Sequence, residues 1–377
     1  MGLLPSWFTI QVAFAPMPMP FFQALREIDI ETSVGQASIF RMHFDLSRNL
    51  VGDYDALAID IFRPMMPVTI SIAAGLPVPQ VLINGYIKDT HLSAGASPGT
   101  SRLEVVGMDA LGTLMANNQE PFPWPNLSES EIAATIFGKY AMASLVDPMP
   151  PTRTVMDTTT TQRIYDAAFL FELAYANNLE LFIQPDPITG RDVGHLHRPF
   201  TFVPHQGVLS LDFGILSNLT QFKVADDMLG PTAVVGLMVD PVTRAPRPSF
   251  GLASSELPMG MEPALFRIVP LPMAQQFDDG AANPTEAQLR AMARASATSR
   301  AIRAHGEVDG IKLARPLRVG LPVLVRGAGR KNSGLYYVDQ VSHHISRDDY
   351  RQSFTVWRNA ALLTGAEVFI DPLAAVA

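Results

Sequence analysis

The sequence predicts a mainly β protein in which an α+β insertion separates two β-rich halves. Apolar and polar residues alternate over the first 115 residues and again from about 205, the period of a strand with one buried face. Helical spacing dominates only between those stretches. Proline is abundant, at 31 of 377 residues with 26 glycines, which favours many turns and few long helices and excludes a coiled coil or helical bundle. A chain of this length has room for two or three domains.

In the first β-rich segment, taken as 1–115, Ile28 and Ile30 alternate with Glu27, Asp29 and Glu31. Phe40, Met42, Phe44 and Leu46 alternate with Arg41, His43 and Asp45. Val68–Ile72, Val81–Ile83 and Leu103–Val105 supply further strands, separated by Gly, Pro and Asp, and their spacing suggests a barrel or sandwich. Residues 1–25 and 64–87 lack charge, but prolines break both (Pro5, Pro16, Pro18 and Pro20; Pro64, Pro67, Pro77 and Pro79). They read as β structure and turns of a soluble protein, neither a signal peptide nor a membrane span.

The insertion, 116–204, begins at the rigid connector Glu120-Pro-Phe-Pro-Trp-Pro125. Ser128 and Glu131 form a capping box, with Ile132, Ile136, Phe137 and Tyr140 on one helical face. A second helix is expected over about 161–177, its face carrying Ile164, Ala168, Phe171 and Tyr175, with Asn177-Asn178 at its C-terminal end. Leu179–Ile183 reads as a strand. The third segment, 205–377, returns to strands, with Val323–Val325, Leu335–Val338 and Phe354–Val356. Within it, 245–275 reads as a Pro/Met-rich loop. Asn283 caps a helix over 283–303, with Pro284 at N1 and Glu286 at N3.

Charge narrows the function. Charged residues are only 17% of the chain, below the roughly 25% of typical soluble domains, which suggests surface covered by partners. A net charge of −8 argues against general nucleic-acid binding. The charge is also uneven: residues 284–358 hold 13 Lys/Arg and 6 Asp/Glu, net +7, against 15 and 30 elsewhere, net −15. With no cysteine, disulfides, thiolate metal sites and a cysteine nucleophile are excluded.

No catalytic set assembles from sequence neighbours. Asp192, His195, His197 and His205 are the best metal candidates, because two histidines at i, i+2 on a strand share a face. No Glu follows at a suitable spacing and Arg198 would repel a cation, so surface or turn histidines are the preferred reading. Arg326–Lys331 has a Gly-Ala-Gly core but lacks the third glycine and following helix of a dinucleotide loop; it reads as a hairpin with a basic tip. The doublets Asp226-Asp227, Asp278-Asp279 and Asp348-Asp349 read as solvated turns. His343-His344 lies on a strand, where neighbours face opposite ways. Arginines of the 283–303 helix could meet nucleic acid or an acidic neighbouring subunit.

The C-terminal third is more specific. It holds Ala304-His-Gly-Glu-Val-Asp-Gly310, Leu317-Arg-Val-Gly-Leu-Pro-Val-Leu-Val325, Gly327-Ala-Gly329, Ser333-Gly-Leu-Tyr-Tyr-Val338, Val341-Ser-His343 and Tyr350-Arg-Gln-Ser-Phe-Thr-Val356. In this order the runs resemble the closing barrel of the late-control D and Mu-type phage tail hub family, shared with hubs of contractile injection systems. Asp109-Ala-Leu-Gly, Trp124, the 128–133 helix and Thr161-Gln-Arg through Leu173-Ala-Tyr-Ala-Asn-Asn resemble the family's insertion. The likeness runs from about residue 25 to 360.

The resemblance implies two tail-tube-like β-barrel domains per chain, arranged by a homotrimer into a pseudo-sixfold ring. It implies a structural baseplate hub, not an enzyme, with no cofactor. A spike protein would lie below, the tail tube or its initiator above and wedge proteins around it, with DNA or effector only as passing cargo and no membrane binding by this chain. The location would be the virion tail baseplate, assembled in host cytoplasm. Gly306, Gly310, Gly320, Gly334, Tyr336 and Phe354 would shape the second barrel, Gly310 at a turn with positive φ. Charge asymmetry would serve packing around the ring. The spike would be a separate protein, since the chain stops about 20 residues past Trp357. The alternatives are the hub of a non-viral injection machine and, in another class, a metal-dependent hydrolase or carbohydrate-binding barrel using His195 and His197.

Overall fold

The computed structural model describes residues 8–370, leaving aside 55–56, 58, 76–77, 98, 118–120, 150–158, 241–242, 268, 278–280 and 282. Asp278-Asp279 lies outside the described residues. The first segment contributes strands β1 (Phe8–Val12), β2 (Leu25–Ser33), β3 (Ile39–Leu46), β4 (Pro67–Ile72), β5 (Gln80–Ser93) and β6 (Ser101–Met108). The short helix α1 (Met19–Ala24) lies between β1 and β2. The insertion carries α2 (Glu129–Lys139), β7 (Ala143–Val146), α3 (Asp166–Asn177), β8 (Glu180–Pro185) and β9 (Asp192–His197). The last segment comprises β10 (Val208–Ser210), β11 (Leu219–Asp226), β12 (Ala233–Val239), β13 (Pro246–Gly251), β14 (Met273–Phe277), α4 (Pro284–Ser299), β15 (Ile302–Asp309), β16 (Pro322–Arg326), β17 (Gly334–Ser346) and β18 (Tyr350–Arg358).

One sheet runs through both halves in the order β11-β15-β18-β17-β2-β3-β6-β5-β4-β1, with β16 joined to β17 and β10 to β16. The halves meet where β2 and β17 pair antiparallel, from Gln340 opposite Ser33 to Ser346 opposite Glu27. The path has two ends, and among the described residues no strand ladder closes either half. Two side-chain devices occupy the gaps. In the first half α1 places Phe21 against Phe44 and Phe62. In the second, Asn218 bridges the end of β10 to the start of β11. Its Oδ1 accepts from Ser210 N at 2.8 Å and its Nδ2 donates to Val208 O at 3.0 Å.

The expected alternation places the cores. Ile28, Ile30, Phe40, Met42, Phe44, Ile70, Ile83 and Val105 share one apolar cluster in the first half. Leu209, Leu219, Val308, Val323, Tyr336, Val341, Phe354 and Val356 share one in the second. A third gathers Trp124, Ile132, Phe137, Leu170, Leu173 and Leu196 in the insertion. Removing a side chain of this kind from water stabilises by about 1.5–3 kcal/mol.

Four expectations are corrected. The capping box at Ser128 and Glu131 is present, and Asn178 closes α3 at φ +51°. However, α3 begins at Asp166 because 160–162 pairs as a strand with 122–124. Its buried face is Ala167, Phe169, Leu170, Leu173 and Ala174, so the stripe through Ala168, Phe171 and Tyr175 turns outward. The stretch 245–275 is no simple loop: β13 and β14 flank β12 in a three-stranded sheet, covered by Ala291 and Ala295 of α4. Asn283 caps α4 as expected, its Oδ1 accepting from Glu286 N at 2.9 Å, but the helix stops at Ser299 and Arg303 belongs to β15. No helix of the described residues is long and apolar enough to cross a membrane.

Candidate functional site

The two faces of the main sheet differ in chemistry. Inward positions form the cores, whereas outward positions near the junction of the halves carry a mixture of basic and acidic side chains. Arg351, His344, Asp29 and Arg41 stand opposite one another across β18, β17, β2 and β3. One step along, Glu27, His43, Glu104 and His91 do the same across β2, β3, β6 and β5. His344 Nδ1 lies 2.8 Å from Asp29 Oδ1, His43 Nε2 lies 3.7 Å from Asp29 Oδ2, and Gln340 Nε2 donates to Glu31 Oε1 at 2.5 Å. Each exposed pair is worth about 0–1 kcal/mol, and the opposite-charge pair Asp29–Arg41 favours this register slightly. The result is a polar surface of mixed sign spanning the seam.

Behind that surface, buried cations tie the segments together. Arg318 donates to Pro185 O at 2.8 Å and to Val81 O at 3.1 Å, joining the insertion and first half to the last segment. Burial lowers its guanidinium to about 10. Arg358, wholly buried, donates to Ser333 O and Leu362 O and stands over the Tyr336 ring. Arg300 binds Glu256 Oε1 through Nε at 3.0 Å and Nη2 at 2.5 Å, and lies 4.5 Å over Trp357. Across the same pocket Glu180 of β8 receives the Tyr337 hydroxyl proton in a hydrogen bond, while its Oε1 is 3.8 Å from Arg300 Nη1. Burial is the main cause raising Glu180 to about 8, partly opposed by Arg300.

These contacts revise the charge reading. Much of the basic last segment serves internal joints; Arg290 pairs with Glu286, and Arg267 with Lys331 holds Asp226. Asp226 is therefore a paired carboxylate, held below its usual range chiefly by the Arg267 hydrogen bond, and not a solvated turn residue. Nothing local marks the roles of Arg318 and Glu180, because the groups they join are remote along the chain; the partners of Asn218 are near in sequence, but its role depends on β10 and β11 meeting.

His195 and His197 are interior strand residues, not surface or turn histidines, whereas His205 is a half-buried loop residue. His195 and His197 share a face of β9, but His195 Nδ1 lies 3.0 Å from His197 Nε2 and His197 Nδ1 lies 2.7 Å from Arg198 O. Phe182 stacks on His195 and Phe200 on His197. Burial, then the neighbouring His197, lowers His195 to about 3. Asp192 sits at the other end of β9, bonded to Asn84, and His205 Nδ1 meets Gly207 O. Among the described residues no three His, Asp or Glu side chains are grouped to hold a metal ion. His343 and His344 do face opposite ways: His343 is buried against the Tyr350 hydroxyl, and His344 points to Asp29.

The six positions singled out for the second half fall in or beside its core. Tyr336 is buried and its hydroxyl donates to Asn332 O at 2.7 Å. Gly306 stands opposite Phe354, where a Cβ would come 2.5 Å from the ring. Gly310 starts a four-residue helical turn under Tyr350 and does not have positive φ, so it supplies clearance, not a left-handed turn. Gly320 at φ +77° and Gly334 at φ +131° do occupy backbone that L side chains avoid.

No protein-family model matches the chain, and no curated protein sequence matches it. Solved structures do. The chain is similar to the tail protein from Neisseria meningitidis MC58, at a TM-score of 0.64 and 12% identity over 94% of this chain and 97% of that one. It is similar to the 43 kDa tail protein of prophage MuSo2 from Shewanella oneidensis, at a TM-score of 0.65 and 12% identity over 93% and 98%. A third likeness is to an E. coli component of the type VI secretion system described as structurally similar to the T4 tail proteins gp27 and gp5. Its TM-score is 0.57 and its identity 12%, over 96% of this chain and 80% of that one. The chain has the fold of these phage tail proteins. The order of its C-terminal motifs led us to expect that likeness, whereas the closed barrels it also implies are not formed by the strand ladders of the described residues.

Proposed function

We propose that the chain is a structural baseplate hub. Three copies form a ring in which the two β-rich halves of each chain alternate, six similar units matching a sixfold tail tube above and a threefold spike below. The observation that carries this is the continuous sheet through β2 and β17, with buried cores behind it and a polar face of acidic and basic side chains in front. A polar face of mixed sign, free of large apolar patches near the seam, suits a channel wall that passes DNA or effector without holding it. The division into a first tube-like domain at 1–115, an insertion at 116–204 and a second tube-like domain at 205–377 belongs to the same reading. The Asn218 bridge supports barrel-like closure in the second half, since it joins β10, bonded to β16, to β11 at the other end of the sheet.

In this reading the chain is not an enzyme, it needs no cofactor, and it resides in the virion tail baseplate beside wedge proteins after assembly in the host cytoplasm. Likeness to the secretion-system component favours a second reading, the hub of a non-viral injection machine; capsid genes beside this gene, or an AAA+ ATPase and toxins, decide between them. The hydrolase reading is disfavoured by His195 and His197, whose facing nitrogens are bonded to each other. Light scattering and negative-stain images test the proposal. A species near three times 41.0 kDa with ring-shaped views is expected; a monomer at every concentration, with or without the neighbouring spike protein, refutes it.

A further inference from the structure

We propose that Arg300 is a two-position switch, bonded to Glu256 while Glu180 holds a proton and drawn onto Glu180 when that proton leaves. The switch lies within one chain and is independent of the ring reading. Arg300 follows α4 and stands between carboxylates from two other parts of the fold. Glu180 begins β8 in the insertion, and Glu256 lies in the excursion between β13 and β14. The guanidinium holds Glu256 Oε1 through Nε at 3.0 Å and Nη2 at 2.5 Å. Its Nη1 stops 3.8 Å from Glu180 Oε1, which has no hydrogen bond, and Glu256 Oε2 has none either. The two carboxylate side chains are only 2% and 5% exposed.

Two ionised carboxylates beside one guanidinium leave a negative charge without a partner, which is costly in a buried site. A proton on Glu180 removes that charge. Tyr337 of β17 donates its hydroxyl to Glu180, and Asp339, two residues further along, adds a negative group. Arg303 of β15 acts on Asp339. His197 stands opposite Glu180 across β8 and β9, but burial favours its neutral form. Burial first, with Asp339 and Glu256 behind it, raises Glu180 to about 8 against the pull of Arg300 and Tyr337. When the proton leaves, Nη1 is about 1 Å beyond the roughly 2.8 Å of a charged hydrogen bond. A small shift then completes the bond to Glu180 and opens the two-nitrogen hold on Glu256. That hold tethers the excursion, whose Met259 packs on Tyr337 and Trp357, so a proton on the insertion sets the grip on the excursion.

Trp357 reports the position of the switch, because the guanidinium lies 4.5 Å over its ring. Tryptophan emission of the full chain, followed from about pH 6 to 9.5 with circular dichroism to check folding, should change in one step near pH 8. Glu180→Gln should remove the step. Glu256→Gln frees Arg300 and deletes a like charge, so the midpoint should fall by about one pH unit or more. Crystals grown at about pH 6 and pH 9 read the switch without any substitution: Nη1 should come within about 3 Å of a Glu180 oxygen at the higher pH only. The absence of a step in the folded chain, a step that survives Glu180→Gln, or a midpoint unmoved or raised in Glu256→Gln overturns the proposal. So does a separation of 3.8 Å unchanged between the two crystals.

Discussion

Replacing Glu180 by Gln should stabilise the protein at neutral pH, and the gain should fade as the pH falls. The buried pocket holds Glu180 and Glu256 but places Arg300 close to Glu256, leaving Glu180 Oε1 with no hydrogen-bond partner. Burial raises Glu180 to about 8, above the value near 4.3 of a free glutamate. The folded chain therefore holds a proton at pH 7 that the unfolded chain has released. With the folded value raised, the contribution to stability is complete below about pH 4.3 and is lost as pH climbs toward 8, at about 1.4 kcal/mol per unit. Between pH 5 and pH 7 the loss is about 2–3 kcal/mol. Glutamine keeps the shape and can accept from Tyr337 but cannot ionise, so this dependence vanishes. Urea unfolding of both proteins at pH 5, 6, 7 and 8 measures it. The difference should grow by about 2–3 kcal/mol in favour of the variant between pH 5 and pH 7. A constant offset, or a variant weaker at every pH, would mean that Glu180 is ionised and paired with Arg300, and the argument would fail.

Further outcomes follow from single contacts. Asn218→Ala removes the bonds to Ser210 and Val208 and should cost about 1–3 kcal/mol, with faster proteolysis within 211–217. Gly306→Ala puts a methyl group 2.5 Å from the Phe354 ring and should lower the melting temperature, by about 1–3 kcal/mol of stability; Phe354→Leu in the same chain should recover part of it. Asn178→Gly relieves a left-handed residue at φ +51° and should be neutral or stabilising by up to about 1 kcal/mol. His344→Ala removes the half-exposed contact with Asp29 at the seam and should change unfolding by less than about 1 kcal/mol; a larger loss would show that the seam depends on it.

The strands around Ile28, Phe40, Val68, Leu103, Val323 and Phe354 were legible because period-2 alternation reports one buried face, whatever that face packs against. The caps at Ser128 and Asn283 were legible for a related reason: a cap is a bond between residues three apart. The face of α3 was misread. Both stripes of that helix are apolar, so spacing alone cannot say which meets the core and which turns outward. β13 and β14 were missed because Pro246 and Pro248 break the alternation in β13, and the polar pair Gln275-Gln276 breaks it in β14. His195 and His197 were given the right strand geometry and the wrong burial, since the aromatic rings that enclose them include Phe182 from another strand.

Local information was therefore sufficient for the mainly β class, for many individual strands and helix caps, and for the order of motifs near the C-terminus. Alternation, capping and turn chemistry act within a few residues, and the sequence carries them directly. Tertiary structure alone decided the pairing of β2 with β17, the joint at Arg318, the bridge at Asn218 and the burial of Glu180 against Tyr337. In the first, second and last of these the interacting groups are more than a hundred residues apart. At Asn218 the sequence distance is short, but the role depends on two strands meeting. Desolvation and hydrogen bonding at such sites depend on what the folded chain brings near, and no pattern along the sequence encodes that neighbourhood.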